Sequence, residues 1–360
     1  MFLHSIQLSQ FKNHESQSFH FSRKINCFIG PNGVGKTNIL DAIHYICLTK
    51  SYFNATDQQN IQFEKDFLRV VADIRNGATQ MQVVCKLPLG KKKEFLLNEI
   101  PYLKMSDHIG VLPVVMLTPD DNQLILGSSE ERRKFIDNTI SQVDRAYLDH
   151  LILYNKYLDQ RNALLKSINS TGKRDDILLE NYNSNLVKHG EAIYLKRKEA
   201  LDRLAPIFRQ YHQLLCLERE ETTFVYDSML HNGKLADMLI DKLAKEIMLE
   251  RTLAGPHRDD IQFLLNNNKL KRFGSQGQQK SFLIALKLAQ FDFISNSSGV
   301  KPFLLIDDIF DKIDEERSRQ LVNLLSTEHF GQLFITDTDP KHIEQEMAQR
   351  KEVYEIFNIL

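Results

Sequence analysis

The sequence predicts an α/β fold interrupted by a mostly helical insertion. Three observations carry that expectation. An apolar run, Ile25 to Ile29, stops at a glycine-rich octapeptide that leads into helical patterning. A second apolar run, Phe303 to Ile306, ends in two acids. Between them, residues from Glu130 to about Leu204 place apolar side chains at steps of mostly three and four, the period of amphipathic helices.

The elements follow in chain order. Ile25–Ile29 reads as a buried strand, and Asn38 to Leu48 as a helix with Ile39, Leu40, Ile43 and Ile46 on its apolar side. Leu68 to Ile74, Met81 to Leu87, Glu94 to Leu97 and Val114 to Leu117 read as further strands. Asn76-Gly77 and Pro88-Leu89-Gly90-Lys91 supply turns between them, so an antiparallel lobe is expected. From Glu130, the spacing of Phe135, Ile136, Ile140, Val143, Tyr147, Leu151, Tyr154 and Leu158 predicts one long helix. Asn169 to Lys173 breaks it, and a second helix runs to about Leu204 with Pro206 near its end, giving an antiparallel hairpin. Ile261 to Leu265 and Lys269 to Phe273 bracket Asn266-Asn267-Asn268 as a β-hairpin. Ser275 to Ile294 reads as a helix, and Phe303 to Ile306 and Gln332 to Thr336 as buried strands. The divisions expected are 1–128, 129–250 and 251–360, the middle one helical.

Composition bounds the function. The chain has 360 residues, about two domains or one domain with an insertion at roughly 150 residues per domain. Charged residues are 26% and hydrophobic residues 42%, which excludes disordered and collagen-like chains. A net charge of -1 excludes a histone-like basic protein, so a nucleic-acid site must be a local basic surface. No run approaches the roughly 18 apolar residues of a membrane span, and Met1 to Phe11 lacks the parts of a secretory signal. The four cysteines form no CxxC pair and read as buried, reduced thiols of a cytoplasmic protein rather than a zinc site.

Gly30-Pro31-Asn32-Gly33-Val34-Gly35-Lys36-Thr37 matches GxxxxGK[ST] between a strand and a helix. Glycines let backbone N–H groups face phosphate oxygens at a helix N-terminus. Lys36 can reach the β- and γ-phosphates of ATP, and Thr37 can place its hydroxyl on Mg²⁺. The partner acids are Asp307, on the metal side, and Asp308, placed to polarise the attacking water; capping of the next helix is the structural alternative. Lys36 and Asp307 lie far apart in sequence, so both parts of the chain must meet to complete the site. That layout resembles the SMC type of ATPase in the ABC superfamily. Such ATPases carry a Ser-x-Gly-Gln-type motif between these two, and Ser275-Gln276-Gly277-Gln278-Gln279 stands there. In that superfamily the serine, the glycine N–H and the helix N-terminus bind the γ-phosphate held by the opposing subunit. Ser275 with Gln278 is equally a capping box, and one helix end can serve both purposes. Asp314, after Ile309-Phe310-Asp311, matches the acid of the superfamily's D-loop, or belongs to a polar turn.

Taken together these motifs resemble the RecF family of bacterial recombination mediators. Leu8, Phe11 and Asn13 match its L-x-N-F-R-N-Y opening. Asp41-Ala42-Ile43 is similar to its E-A-I, and Pro119-Asp120-Asp121 through Arg132-Arg133-Lys134-Phe135-Ile136-Asp137 to its P-E-D-L…R-R-x-F-L-D stretch. Gly255-Pro256-His257-Arg258-Asp259-Asp260, Ser275 to Gln279 and Leu304 to Asp308 complete the series. The resemblance implies a P-loop ABC-type ATPase head with an antiparallel β lobe and an inserted helical hairpin domain in place of a long coiled coil. It implies a weak ATPase whose ATP-bound homodimer sets each phosphate loop against the partner's Ser275. It implies binding to single-stranded, gapped and duplex DNA in replication and repair, with RecO, RecR and RecA as partners. The sequence departs from the family at Lys12, where an arginine is usual, and at Ser51-Tyr52-Phe53, where Ser and Arg are common. The switch histidine of ABC transporters is absent; Thr336 and Asp337 stand near its place, and Gln123 is a candidate Q-loop residue.

Basic clusters have structural and functional readings. Lys91-Lys92-Lys93 reads as a solvated hairpin tip and Lys196-Arg197-Lys198 as solvent-facing. Arg132-Arg133-Lys134 is either a solvated helix face or a nucleotide- or DNA-facing one; His257 and Arg258 beside Asp259 and Asp260 suggest an ion pair. No aromatics interleave these clusters, so phosphate contact rather than base stacking is expected. Two rival functions remain: an SMC-like nuclease or toxin component, which needs a second acid cluster, and a nucleotide-gated scaffold, which does not need Asp308.

Overall fold

The computed structural model describes residues 1–216, 220–308, 315–338 and 354–359. Along the chain, β1 (Phe2–Phe11), β2 (His14–His20) and β3 (Ile25–Ile29) precede α1 (Lys36–Leu48). β4 (Phe67–Asn76), β5 (Thr79–Pro88), β6 (Glu94–Leu97), β7 (Ile100–Pro101) and β8 (Val114–Leu117) follow. Then come α2 (Asn122–Leu126), α3 (Ser129–Ser141), α4 (Arg145–Thr171) and α5 (Asp176–Cys216). β9 (Thr222–Asp227), α6 (Leu235–Asp241), α7 (Leu243–Leu249), β10 (Asp260–Leu265), β11 (Asn268–Lys269) and α8 (Leu270–Phe273) lead to α9 (Gln276–Ser298). β12 (Phe303–Asp307), α10 (Glu315–Leu325), β13 (Leu333–Asp337) and β14 (Tyr354–Asn358) complete the described elements.

The chain divides into two units, one of residues 1–121, 211–218 and 280–360, the other of 122–210 and 219–279. The first holds two sheets. A parallel sheet runs β14-β3-β13-β12-β8, so its strands come from both ends of the sequence. An antiparallel sheet runs β2-β1-β4-β5-β6-β7. Helix α1 touches β1, β4 and β5 on one side and β8, β12 and β13 on the other. That position explains its composition: Ile39, Leu40, Ala42, Ile43, Tyr45 and Ile46 are all fully buried, more than a one-sided helix would hide. One buried side chain ties the two layers: Gln332 accepts from the Leu3 N–H at 2.7 Å and donates to the Leu3 and Ser22 carbonyls. All four cysteines are buried, and burial pushes the Cys27 and Cys85 thiols up to about 12.

The second unit is a helical hairpin with a small β10-centred sheet. Antiparallel packing of α4 on α5 is fixed by Arg161 with Asn183, Tyr157 on His189 and Asp144 with Lys196. Its interior is unusually charged. Arg161 and Glu246 are both fully buried and pair at 2.7 Å, and Arg161 also donates to Thr252. Arg197 donates to both oxygens of Asp137 at 2.9 Å and to the Pro256 carbonyl. Removing one partner of such a pair leaves an uncompensated buried charge, at a cost of about 3–5 kcal/mol.

Several expectations need correction. The predicted helix from Glu130 is two helices, α3 and α4, because Asp144 caps a new start by accepting from the Tyr147 N–H at 2.9 Å. The second hairpin helix does not end near Leu204; Pro206 lies inside α5, which runs to Cys216. The predicted second arm of the β-hairpin is only Asn268–Lys269, after which α8 begins. Asn266 and Asn267 both take positive φ (47° and 63°), the conformation a two-residue hairpin turn requires. Arg197, read as solvent-facing, is 3% exposed.

Candidate functional site

The parallel sheet places β3 and β12 on either side of β13. In such sheets ligands collect at the carboxyl ends of the strands, where Gly30 to Gly35 leaves β3 and Asp307-Asp308 leaves β12. Pro31, Asn32 and Gly33 are exposed at the crest of the loop, with Gly30 and Val34 half-buried. Gly35 has φ 104°, and a β-carbon there would lie 2.2 Å from the Asn13 amide, so both backbone and space require glycine. Asn13 donates to the Val34 carbonyl at 2.9 Å and accepts from Asn38, and the His14 ring meets the Gly35 carbonyl at 3.1 Å. Burial lowers the His14 pKa, which keeps that ring neutral in contact with the loop. The N-terminal motif thus braces the phosphate loop, a role visible in the sequence only as a family resemblance.

Lys36 is buried and its Nζ donates to the carbonyls of Gly30 (2.6 Å) and Pro31 (2.9 Å), spanning the loop. Thr37 Oγ1 lies 2.9 and 3.0 Å from the two carboxylate oxygens of Asp307, a contact across 270 residues of sequence. Thr336 donates to the same carboxylate at 2.7 Å. Asp308 is half-buried, has φ 44°, and its backbone N–H donates to Thr336 at 3.0 Å. Lys36, Thr37, Asp307 and Asp308 therefore converge within the first unit. A hydroxyl beside a buried carboxylate is a hard oxygen pair of the kind Mg²⁺ takes from a protein while nucleotide phosphates complete its shell.

Burial raises the Asp307 pKa, and the neighbouring Asp308 charge adds to this, while the Thr336 and Thr37 hydroxyls and Lys36 oppose it. A carboxyl whose folded pKa exceeds its unfolded value subtracts stability above that range, and the loss disappears as pH falls through the folded pKa. Without nucleotide and Mg²⁺, Asp307→Asn is therefore expected to melt above wild type near neutral pH, with the gap closing on acidification. Mg²⁺-ATP should then stabilise wild type and not the variant. Calorimetry across pH, with and without nucleotide, measures both.

Ser275, Gly277 and Gln278 belong to the second unit. Ser275 and Gln278 form a reciprocal cap: the Ser275 N–H donates to Gln278 Oε1 at 2.7 Å, and the Gln278 N–H to Ser275 Oγ at 3.3 Å. Ser275 is exposed immediately before the 23-residue helix α9, with Gly277 half-buried as the second residue of its first turn. Gln278 also donates to Glu220. The D-loop stretch from Ile309 to Asp314 lies outside the described residues. Gln123 is in α2, where its backbone carbonyl accepts from Gly127.

The family departures are accommodated locally. Lys12 pairs with the buried Asp41 at 2.6 Å, and Ser51 and the Tyr52 N–H donate to the same carboxylate. Phe53 lies under the Lys12 ammonium. Tyr52 donates to Asp121, which pairs with the buried Lys287 at 2.6 Å. Among the basic clusters, Arg132 pairs with Asp260, Arg133 donates to the Asp259 carbonyl, and only Lys134 of the three is exposed. Asp259 meets Arg197 and Tyr226, so His257-Arg258 do not pair with the acids that follow them. Burial holds His257 down to about 4, neutral against the Tyr154 hydroxyl at 2.7 Å. Lys93 pairs with Asp57 while Lys91 and Lys92 are exposed. No helix among the described residues is long and apolar enough to cross a membrane.

Comparison with known proteins agrees with this geometry. The family described as "RecF/RecN/SMC N terminal domain" matches residues 2–358. The chain is 45% identical to the DNA replication and repair protein RecF of Flavobacterium johnsoniae over 359 residues, covering 100% of both. It is similar to a solved structure of the recombination mediator protein RecF-ATP in the RecFOR pathway, with a TM-score of 0.87 and 28% identity, covering 94% of this chain and 92% of that one. The fold is shared with an Smc head domain from Pyrococcus furiosus, at a TM-score of 0.58 and 15% identity, covering 100% and 94%.

Proposed function

The chain belongs to the RecF/RecN/SMC N-terminal-domain family of ABC-type ATPases, and from that premise we propose an ATP-dependent DNA-binding protein of replication and recombinational repair. The observation that carries the reading is the convergence of Lys36, Thr37, Asp307 and Asp308 at one edge of the parallel sheet. Lys36 and the loop's N–H groups bind the ATP phosphates. Thr37 and Asp307 would hold Mg²⁺, which when bound neutralises charge on the phosphates. Asp308 orients water for in-line attack on the γ-phosphate and takes its proton. Ser275 and the N-terminus of α9, with Gly277 and Gln278, close the site of a second copy, as anion-binding helix ends do.

The ATP-bound homodimer then binds DNA through phosphate contacts, on single strands, gaps and duplex, and hydrolysis acts as the release switch. The relatives' names place them in DNA replication and repair and in the RecFOR pathway, which supports RecO and RecR as partners; loading of RecA is the outcome the family resemblance implies. The cytoplasm is the expected location. The test is size by light scattering with ATP, ADP or no nucleotide. A dimer is expected with ATP alone, lost in Ser275→Arg and lost in wild type when the metal is chelated. A monomer in every condition with ATP bound would sink the trans-acting clamp.

A further inference from the structure

Thr336 stands opposite Asp307 in the register of β12 and β13 and is fully buried. Its hydroxyl donates to Asp307 Oδ1 at 2.7 Å and accepts from the Asp308 backbone N–H at 3.0 Å. One hydroxyl has a proton to give and lone pairs to receive, so the two bonds coexist. They reach two consecutive acids with different assigned tasks. Thr37 donates to Asp307 from α1, so that carboxylate is held between two hydroxyls on different elements. Asp308 has φ 44°, in the left-handed region that few residues with a β-carbon occupy and that Asp enters more readily than most. Such a conformation persists where surrounding structure fixes it, and the bond to Thr336 is one fixing point.

Most side-chain hydrogen bonds go to backbone or water, so a hydroxyl that donates to a carboxylate and accepts from the next residue's N–H is a more particular arrangement. We propose that Thr336 is a positioning residue that sets both acids at once. It orients the Asp307 carboxylate toward Thr37 and pins the backbone turn from which the Asp308 side chain projects. This rests on the assignment of Asp307 to metal and Asp308 to water. Sequence spacing conceals the link, because the residues sit on neighbouring strands with α10 between them.

The test compares Thr336→Val, Thr336→Ser and Asp308→Asn in the full chain. Valine keeps the β-branched shape and removes both hydrogen bonds; serine keeps the hydroxyl. Thr336→Val is expected to stay folded by circular dichroism and to dimerise with ATP by light scattering. Its kcat should fall about 10- to 100-fold, as for partners that orient metal ligands, with half-saturation shifted to higher Mg²⁺ and KM for ATP little changed. Thr336→Ser should recover most of the rate. Should the valine variant not fold, Thr336→Cys, similar in size with a weaker donor, carries the same expectation. Wild-type kcat and Mg²⁺ demand in Thr336→Val, beside an inactive Asp308→Asn, would overturn the proposal. So would a serine variant no better than valine. Full hydrolysis by Asp308→Asn would overturn the underlying assignment instead.

Discussion

Lys36→Met is expected to lower ATP hydrolysis by about two to three orders of magnitude, the usual loss when a charge-stabilising donor is removed from a reacting centre. Methionine nearly matches the length of the lysine stem and keeps its buried packing, so the change isolates the ammonium. In the structure that ammonium is shared by the Gly30 and Pro31 carbonyls at 2.6 and 2.9 Å. It already lies across the loop that is proposed to hold the phosphates. Calorimetric titration should show weakened ATP binding, and light scattering should show no ATP-dependent dimer. Lys36→Arg should not rescue, because a planar fork is a different shape from a compact point charge. A Lys36→Met protein that binds ATP as tightly as wild type would mean the loop is not the nucleotide site.

Asp308→Asn is the second large expected effect and separates chemistry from binding. The amide keeps shape and most hydrogen bonding but cannot take a proton from water. Hydrolysis should fall about 10²- to 10⁴-fold, the range general-base groups contribute. ATP binding should survive, since Lys36, Thr37 and Asp307 are untouched. The variant should therefore accumulate as the ATP-bound dimer and stay on DNA longer than wild type. Light scattering and DNA dissociation rates in ATP measure this directly. Full steady-state hydrolysis would remove Asp308 from the role given to it.

Much of this was legible where the sequence concentrates one signal. Ile25–Ile29, Glu94–Leu97 and Val114–Leu117 are strands with the same bounds as their apolar runs, each limited by a glycine, proline or polar neighbour. The phosphate loop and the paired acids were legible as motifs. Periodicity failed where it could not see a cap: Ile140, Val143 and Tyr147 keep helical spacing straight across the break at 142–144. β2 carries no apolar strand signal, because His14–His20 is mostly polar and exposed at a sheet edge. The cationic neighbours of Arg197 suggest a solvent-facing residue, although it falls in line with Ile193, Ala200 and Leu204, all buried. That alignment was the available signal. The bracing of Gly35 by Asn13 and the bonds of Thr336 are long-range contacts, which no local pattern encodes.

The order of strands in the parallel sheet has a consequence for the protein's synthesis. Among the described residues β3, which leads into the phosphate loop, pairs with β13 and β14, and the Ile359 N–H donates to the Ile29 carbonyl at 2.8 Å. The Ile359 carbonyl lies where a β-carbon on Gly30 would be, 2.2 Å away. A nascent chain can form the antiparallel sheet from neighbouring segments soon after they emerge. Its β3, an apolar strand, must wait for β13 on one edge and for β14 on the other, both more than 300 residues downstream. Loop closure over so long a stretch is slow, and exposed parallel-strand edges invite misassociation. A product that stops short of β14 would lack the partner on one edge of β3 and the Ile359 contact at the start of the phosphate loop.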